Sequence, residues 1–400
     1  MTSTTEETLA AASPSNRLPM AGLLALAMTC FLTVLTEAMP AGLLPQISAG
    51  LAVTEAMAGQ MVTVFAIGIV AAAIPLTMAT NRMRRRPLLL TAICGFAIVN
   101  TVTAVSDDYN LILVARFFAG VFAGLFWSLM AGYATRMVAP HLQGRAIAVA
   151  MIGVPLALAL GIPAGTFLGG IVGWRAAFGI MSLFTVILIG WVLATVPDFP
   201  GQAAGQRRSL IRVFMMPGIR SVLFVTVAFV LAHMSLYTYI APFVARAGLA
   251  DQVDLVLLTF GITSIGGTWI TGLVIDRWLR QLVLASVMFF GLAMLALGLW
   301  GDAAILVFAA IALWGLAFGG VPTLFQTACA KAAGEAADVA QSMMVTVWNM
   351  ATAAGGLVGG LLLESQGAAS FPWAALVLLL PVLLTIWRAK SHGFPVTTEG

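Results

Sequence analysis

The segment Thr36-Glu37-Ala38-Met39-Pro40-Ala41-Gly42-Leu43-Leu44-Pro45 sets a carboxylate inside an apolar run long enough to cross a bilayer. A charge at that depth costs about 2.5–3.5 kcal/mol on insertion scales, so Glu37 needs a partner, a proton or a water-filled cavity. Arg116, in Leu111-Ile112-Leu113-Val114-Ala115-Arg116, is the second ionisable residue well inside a span. Glu37 lies roughly 15 Å, and Arg116 roughly 8 Å, from the same end of their runs at 1.5 Å per residue, so long side chains on neighbouring helices can meet. Such a pair fits one of two roles. Either Glu37 carries a proton under the influence of Arg116, or the two form a static ion pair that fixes packing.

The remaining polar groups at depth are few. His233 falls near the middle of its run, where an imidazole serves as a substrate contact, a proton relay or a hydrogen-bonded structural group. Tyr237 and Tyr239 follow it, with Pro242 able to bend the helix; they suit stacking on a planar ligand, or anchoring at the interface. Asn349 needs a partner on another helix or on a substrate. Trp127 and Trp314 suit a planar ligand or ordinary packing, and Gln326 suits a solvated helix end. Cys30, Cys94 and Cys329 lie in apolar runs and read as small buried hydrophobes, with neither disulfide nor metal spacing.

The elements that must position these groups follow from composition. Of the 400 residues, 61% are hydrophobic and 8% charged, against roughly 25% charged in soluble domains. A soluble core is excluded, and apolar runs near 20 residues long make the chain an all-α polytopic membrane protein. Twelve transmembrane helices are expected at about 20–47, 56–80, 88–106, 111–137, 146–171, 174–195, 218–244, 254–275, 281–300, 303–326, 340–363 and 371–388. The longer connection, 196–217, separates a six-helix bundle over 18–195 from another over 218–388. Tails of 1–17 and 389–400 flank them. The first tail lacks the basic start of a signal peptide, so the first span is expected to stay uncleaved.

Basic residues set the orientation. With the N-terminus inside, the inner segments hold Arg17, Arg82, Arg84, Arg85, Arg86, Arg136, Arg145, Arg207, Arg208, Arg212, Arg220, Arg277, Arg280, Lys331, Arg388 and Lys390, against Arg175 and Arg246 outside. Both termini are therefore expected in the cytoplasm, and the arginines serve orientation rather than nucleic-acid binding. The halves also repeat. The loop Asn81-Arg82-Met83-Arg84 corresponds to Asp276-Arg277-Trp278-Leu279. Gly120/Gly124 corresponds to Gly315/Gly319, and Gly161/Gly165/Gly169/Gly173 to Gly355/Gly356/Gly359/Gly360. Small residues four apart let helix backbones approach closely, and paired repeats place a transport site at their interface.

These residues resemble the major facilitator superfamily, in particular its twelve-helix drug:proton antiporters, over about 20–388. Arg116 with Gly120 and Gly124 is similar to the family's span-4 motif. Gly161-Ile162-Pro163-Ala164-Gly165 is similar to the antiporter motif of span 5. Gly272-Leu273-Val274-Ile275-Asp276-Arg277 matches the loop motif, whereas the first-half loop departs from it with Thr77, Asn81 and Arg84. Glu37 with Gly42-Leu43-Leu44-Pro45, Ala58-Gly59-Gln60, Gly173-Trp174-Arg175 and Tyr237-Thr238-Tyr239-Ile240-Ala241-Pro242 resemble sugar-efflux and purine-ribonucleoside-efflux exporters. Phe126-Trp127-Ser128 and Trp314-Gly315-Leu316 lean toward the nucleoside exporters.

The resemblance implies a proton-coupled secondary exporter of a small organic molecule (a sugar, a purine nucleoside or a drug) that works as a monomer by alternating access in the plasma membrane. In a Gram-negative cell that is the inner membrane. Glu37 and Arg116 would couple protons, and Trp127, His233, Tyr239 and Asn349 would contact substrate. Asn81, Arg82, Asp276 and Arg277 would form gating loops, and Gly120, Gly124, Gly161, Pro163 and Gly165 would pack helices. A phenicol-type drug exporter is the near alternative. A sensor or receptor is the distant one, and would be expected to carry a signalling domain. No phosphate-cradling loop points to ATP, no cofactor is expected, and His141 and His392 fall in loops, away from any catalytic cluster.

Overall fold

The computed structural model describes residues 18–80, 82–139, 142–201, 210–390 and 392–394. It is all-α, and among the described residues twelve helices are long and apolar enough to span a membrane. They are α1 (Met20–Gly42), α2 (Glu55–Ala72), α3 (Arg85–Val105), α4 (Tyr109–Arg136), α5 (Arg145–Val172) and α6 (Trp174–Thr195), then α7 (Ile219–Tyr237), α8 (Ala250–Ile275), α9 (Arg277–Trp300), α10 (Ala304–Ala333), α11 (Val339–Gln366) and α12 (Ala368–Arg388). Large exposed apolar side chains, such as Ile98, Phe118, Phe167, Leu183, Leu292 and Leu380, coat the outside, as a bilayer-facing surface requires.

Two expected helices are broken, and proline accounts for both. The first run was expected to continue to 47, but α1 stops at Gly42 and a second helix, Leu44–Leu51, follows with Pro45 in its first turn. The run expected over 218–244 breaks after Tyr237 and resumes as Ile240–Ala245. Pro45 and Pro242 offer no N–H to the carbonyls four residues back, Ala41 and Thr238, and their rings crowd those carbonyls. Because α1 and α7 are the first helices of the two halves, the breaks are repeat-related. A third proline, Pro163, follows a π-helical turn at Ala157–Gly161 within α5. The loop expected after α8 is only a kink at Trp278.

Glycines set the packing in both halves in the same way. Gly120 faces the Phe65 carbonyl and the Gly68 backbone of α2, and Gly124 faces Ile69. Gly315 and Gly319 face the carbonyls of Phe260 and Ser264 on α8. Gly161 and Gly165 of α5 lie against Phe31, Leu35 and Met39 of α1, as Gly355 and Gly359 of α11 lie against Met234 and Ser235 of α7. At Gly120, Gly315, Gly319 and Gly359 a backbone carbonyl of the neighbouring helix occupies the space a β-carbon would need.

At the end of the bundle that holds the first and last described residues, Leu18 and Phe394, the segment after α6 is tied to the first half. Asp198 pairs with Arg84 and accepts from the Arg86 backbone N–H at 3.1 Å, while Tyr133 donates to Pro197 at 2.6 Å and Arg136 to Pro200 at 2.6 Å. At the far end, Arg175 pairs with Asp107 and Arg246 with Asp302.

Candidate functional site

Glu37 lies on α1, about a turn and a half before that helix ends at Gly42, where it faces the corresponding break in α7. Together with Ala38, Ala41, Val62, Met234, Tyr237 and Thr238 it lines a cavity of about 20 Å³ between the two halves, enough for about one water molecule. The Glu37 carboxylate has no hydrogen-bond or salt-bridge partner among the described residues.

Arg116 is fully buried (0% exposed). Its Nη2 donates to the Glu37 backbone carbonyl at 3.2 Å, and its Nε donates to the Met61 carbonyl at 3.3 Å. The guanidinium carbon lies 4.9 Å from the centre of the Phe65 ring, while Nη1 has no hydrogen-bond partner. The cation thus ties α1 to α2 through backbone oxygens, and the carboxylate beside it accepts no hydrogen bond from it. Its positive charge lies close to Glu37 without neutralising it through direct contact.

His233 is 2% exposed and packs in an aromatic cluster of the second half. It stacks on Phe318 at 3.7 Å and on Tyr237 at 5.2 Å between centroids, with Phe260 and Phe290 close by. Trp314 Nε1 donates to His233 Nδ1 at 3.1 Å. An indole N–H only donates, so His233 is neutral here, with its proton on Nε2. Trp314 is buried against Phe290 and Phe260.

Tyr239 is inserted between Gly59 of α2 and Gly359 and Gly360 of α11. Its hydroxyl lies 2.9 Å from the Gly356 carbonyl and 3.2 Å from the Ala56 carbonyl, and it accepts from Gln60 Nε2 at 3.3 Å. Gln60 Nε2 also lies 3.5 Å from the Gly356 carbonyl, and Thr54 bonds Glu364 at 3.3 Å. These cross-half bonds all lie toward the far end. Neither Tyr237 nor Tyr239 is exposed at a helix end, so interface anchoring, one of the two sequence readings, does not hold for either.

The other candidates are dispersed. Asn349 is buried and its Nδ2 donates to the Val345 carbonyl of its own helix at 2.9 Å. Trp127 is half-buried against Phe126, with Ser128 exposed beside it. The Gln326 carbonyl accepts from Gln341 at 2.7 Å. Arg82 and Arg277 are exposed at the terminal end, and Asp276 directly follows α8 there. Asn81 lies outside the described residues. The three cysteines are free, and the described residues hold no cluster of His, Cys, Asp or Glu suited to a metal.

Sequence reasoning missed the cross-half role of Gln60 and the unpaired hydroxyls of Thr63, Thr166 and Thr238. For Thr238 the signal was Pro242, four residues on; for Gln60 it was an amide inside an apolar run.

Beyond the 20 Å³ cavity, a larger vestibule of about 440 Å³ opens at the far end. Gly42, Pro45, Gln46 and Glu55 line it on one side, and Ala241, Pro242, Asp251 and Val253 on the other.

The chain is 28% identical over 364 residues to a "Purine ribonucleoside efflux pump NepI" of Shigella sonnei (strain Ss046), covering 89% of this chain and 91% of that protein. It is 29% identical over the same shares to the protein so named in Escherichia coli O6:K15:H31 (strain 536 / UPEC). Among solved structures, it is similar in fold to a bacterial homologue of the human lysosomal transporter Spinster in an inward-facing and unoccupied conformation. The TM-score is 0.64 at 15% identity, over 95% of this chain and 97% of that one. The family model for the Major Facilitator Superfamily matches residues 26–356. The chain therefore belongs to the Major Facilitator Superfamily and is a multi-pass membrane transporter, not an enzyme.

Proposed function

We propose that this protein exports a small organic molecule, with a purine ribonucleoside as the first candidate, in exchange for an inward-moving proton. The observation that carries proton coupling is the Glu37 carboxylate: an unpartnered acid in a cross-half cavity, with Arg116 beside it bonded to backbone. A carboxylate so placed alternates between charged and neutral forms as the cavity opens to one side or the other. Purine specificity is supported by the efflux pumps that resemble the chain over nearly its whole length.

The two bundles, 18–195 and 218–388, rock about their interface. The terminal end, rich in arginine, faces the cytoplasm across the plasma membrane, and the far end faces outward. The Tyr239–Gln60–Gly356 bonds close the outward side. Trp127 and Asn349 remain candidate substrate contacts, with the His233–Trp314 cluster as the wall behind them. Arg82, with Asn81, belongs to the inner gating segment of the first half, and Asp276 and Arg277, beside the kink at Trp278, to that of the second.

The test is transport in proteoliposomes under an imposed pH gradient, with a labelled purine ribonucleoside and a phenicol drug as alternative substrates. Gradient-driven movement of the nucleoside supports the reading, and movement of the phenicol alone transfers it to a drug exporter. Nucleoside movement independent of the gradient removes the proton coupling.

A further inference from the structure

A proton site at Glu37 needs a route by which a proton reaches it. Three observations converge on one path. First, the Glu37 cavity and the far-end vestibule are adjacent on both helices that line them. Ala41 lines the cavity and Gly42 the vestibule; Thr238 lines the cavity and Ala241 the vestibule. The separation is one turn or less, about 5 Å. Second, Thr238, 1% exposed, lines the cavity and its Oγ1 has no hydrogen-bond partner. Its backbone N–H is already bonded to Met234, and its carbonyl is the one that Pro242 leaves without a helical donor. Third, another unpaired buried hydroxyl, Thr166 Oγ1, abuts Gly42 at the vestibule floor. Buried hydroxyls are almost always hydrogen-bonded; the orphan on Thr238 lines the water-sized space beside the unpartnered carboxylate, and the orphan on Thr166 adjoins Gly42, which lines the vestibule, so the two mark a hydrated path.

We infer that Thr238 is a proton-relay residue that holds the water joining the far-end vestibule to Glu37, and that this is the route by which Glu37 is protonated. The inference rests on the proton-coupled reading above. In the relay, a proton from a vestibule hydronium bonds to the Thr238 oxygen as that hydroxyl gives its own proton to the cavity water. The water passes one of its protons to the Glu37 carboxylate. Each O–H bond broken is matched by one formed, so the vestibule loses one proton and Glu37 becomes a carboxylic acid. The groups that face this path are Arg116 from α4 and Tyr237 from α7 near Glu37, with Glu55 and Asp251 at the vestibule rim.

The experiment applies an acid jump to the far side of oriented proteoliposomes containing the full chain. Time-resolved infrared absorption then follows the carboxylic-acid carbonyl band, with no transported substrate needed. Wild type should show a rising band that is absent in Glu37→Gln. Thr238→Val, nearly isosteric, should slow the rise roughly tenfold at unchanged amplitude, the factor for loss of one hydrogen bond to a buried water. Thr238→Ser should restore the rate. A wild-type rate in Thr238→Val, with the band still lost in Glu37→Gln, overturns the relay and leaves Glu37 as the proton site. A band that persists in Glu37→Gln overturns both. Equal melting temperatures for the Val and Ser variants separate the relay from a packing role.

Discussion

Arg116 bonds the backbone carbonyl of Glu37, at 3.2 Å, and not its carboxylate. A direct ion pair would hold the acid charged and hold α1 to α4 in one arrangement. Bonding through the carbonyl gives the same helix contact while leaving the carboxylate free to change protonation, and it lets the cation act on the acid only through the field. Under the proposed proton coupling, the arrangement would separate a structural function of Arg116 from a tuning function.

Glu37→Gln keeps the shape and fixes the neutral state. The variant should express normally, since a buried charge is removed. In proteoliposomes it should lose pH-gradient-driven export while retaining substrate exchange at equal pH. Gradient-driven export at the wild-type rate would transfer proton coupling to another group.

Arg116→Ala strips the side-chain donors from two buried carbonyls, Glu37 and Met61. Each carbonyl keeps its helical N–H donor, so each hydrogen bond lost costs about 0.5–1.5 kcal/mol, and with the loss of the buried side chain's packing the purified protein should melt lower in detergent. Arg116→Lys should recover part of the loss, because an ammonium cannot span both carbonyls in the fixed geometry of a guanidinium. A melting temperature for Arg116→Ala equal to wild type would contradict the clamp.

Gly120→Ala and Gly315→Ala place a β-carbon against the carbonyls of Phe65 and Phe260, whereas Gly132 has open space around it. The first two should each destabilise by about 1–3 kcal/mol, as overpacking does, and Gly132→Ala should be neutral. The comparison is read from thermal unfolding; equal effects at all three sites would refute close packing as the cause.

Tyr239→Phe deletes the hydroxyl shared by Gly356, Ala56 and Gln60 while keeping the ring between its glycines. Losing a bond worth about 1 kcal/mol shifts a two-state equilibrium roughly fivefold. Spin labels at Met57 and Ser365, exposed near the far ends of α2 and α11, should show a greater share of long distances in the variant. An unchanged distribution would mean the far end is held closed by packing alone.

Arg84 and Asp107 flank opposite ends of α3. Cysteines at these positions should label from opposite sides of the membrane in intact cells, position 84 from the cytoplasm. Labelling of both from outside would contradict the proposed orientation.

What the sequence determined by itself is what solvent and backbone chemistry decide locally. Apolar runs near 20 residues must be helices in a bilayer, because no other open structure satisfies the backbone there. Glu37 and Arg116 stood out because charge in such a run is costly, and Gly120, Gly124, Gly315 and Gly319 because only small residues admit a second backbone. Pro242 announced a bend. Tertiary structure alone decided which group of Glu37 Arg116 would meet, since a depth along two helices fixes neither their rotation nor the rotamers between them. It also decided that His233 would be taken up by Trp314 and an aromatic cluster, and that Tyr239 would lie between glycines of α2 and α11. The cavity joining Glu37 to Thr238 exists only because the breaks before Pro45 and Pro242, 197 residues apart in the chain, come to face each other across the two halves. A sequence pattern records each break, and only the packing of α1 against the Ile240–Ala245 segment that continues α7 brings them together.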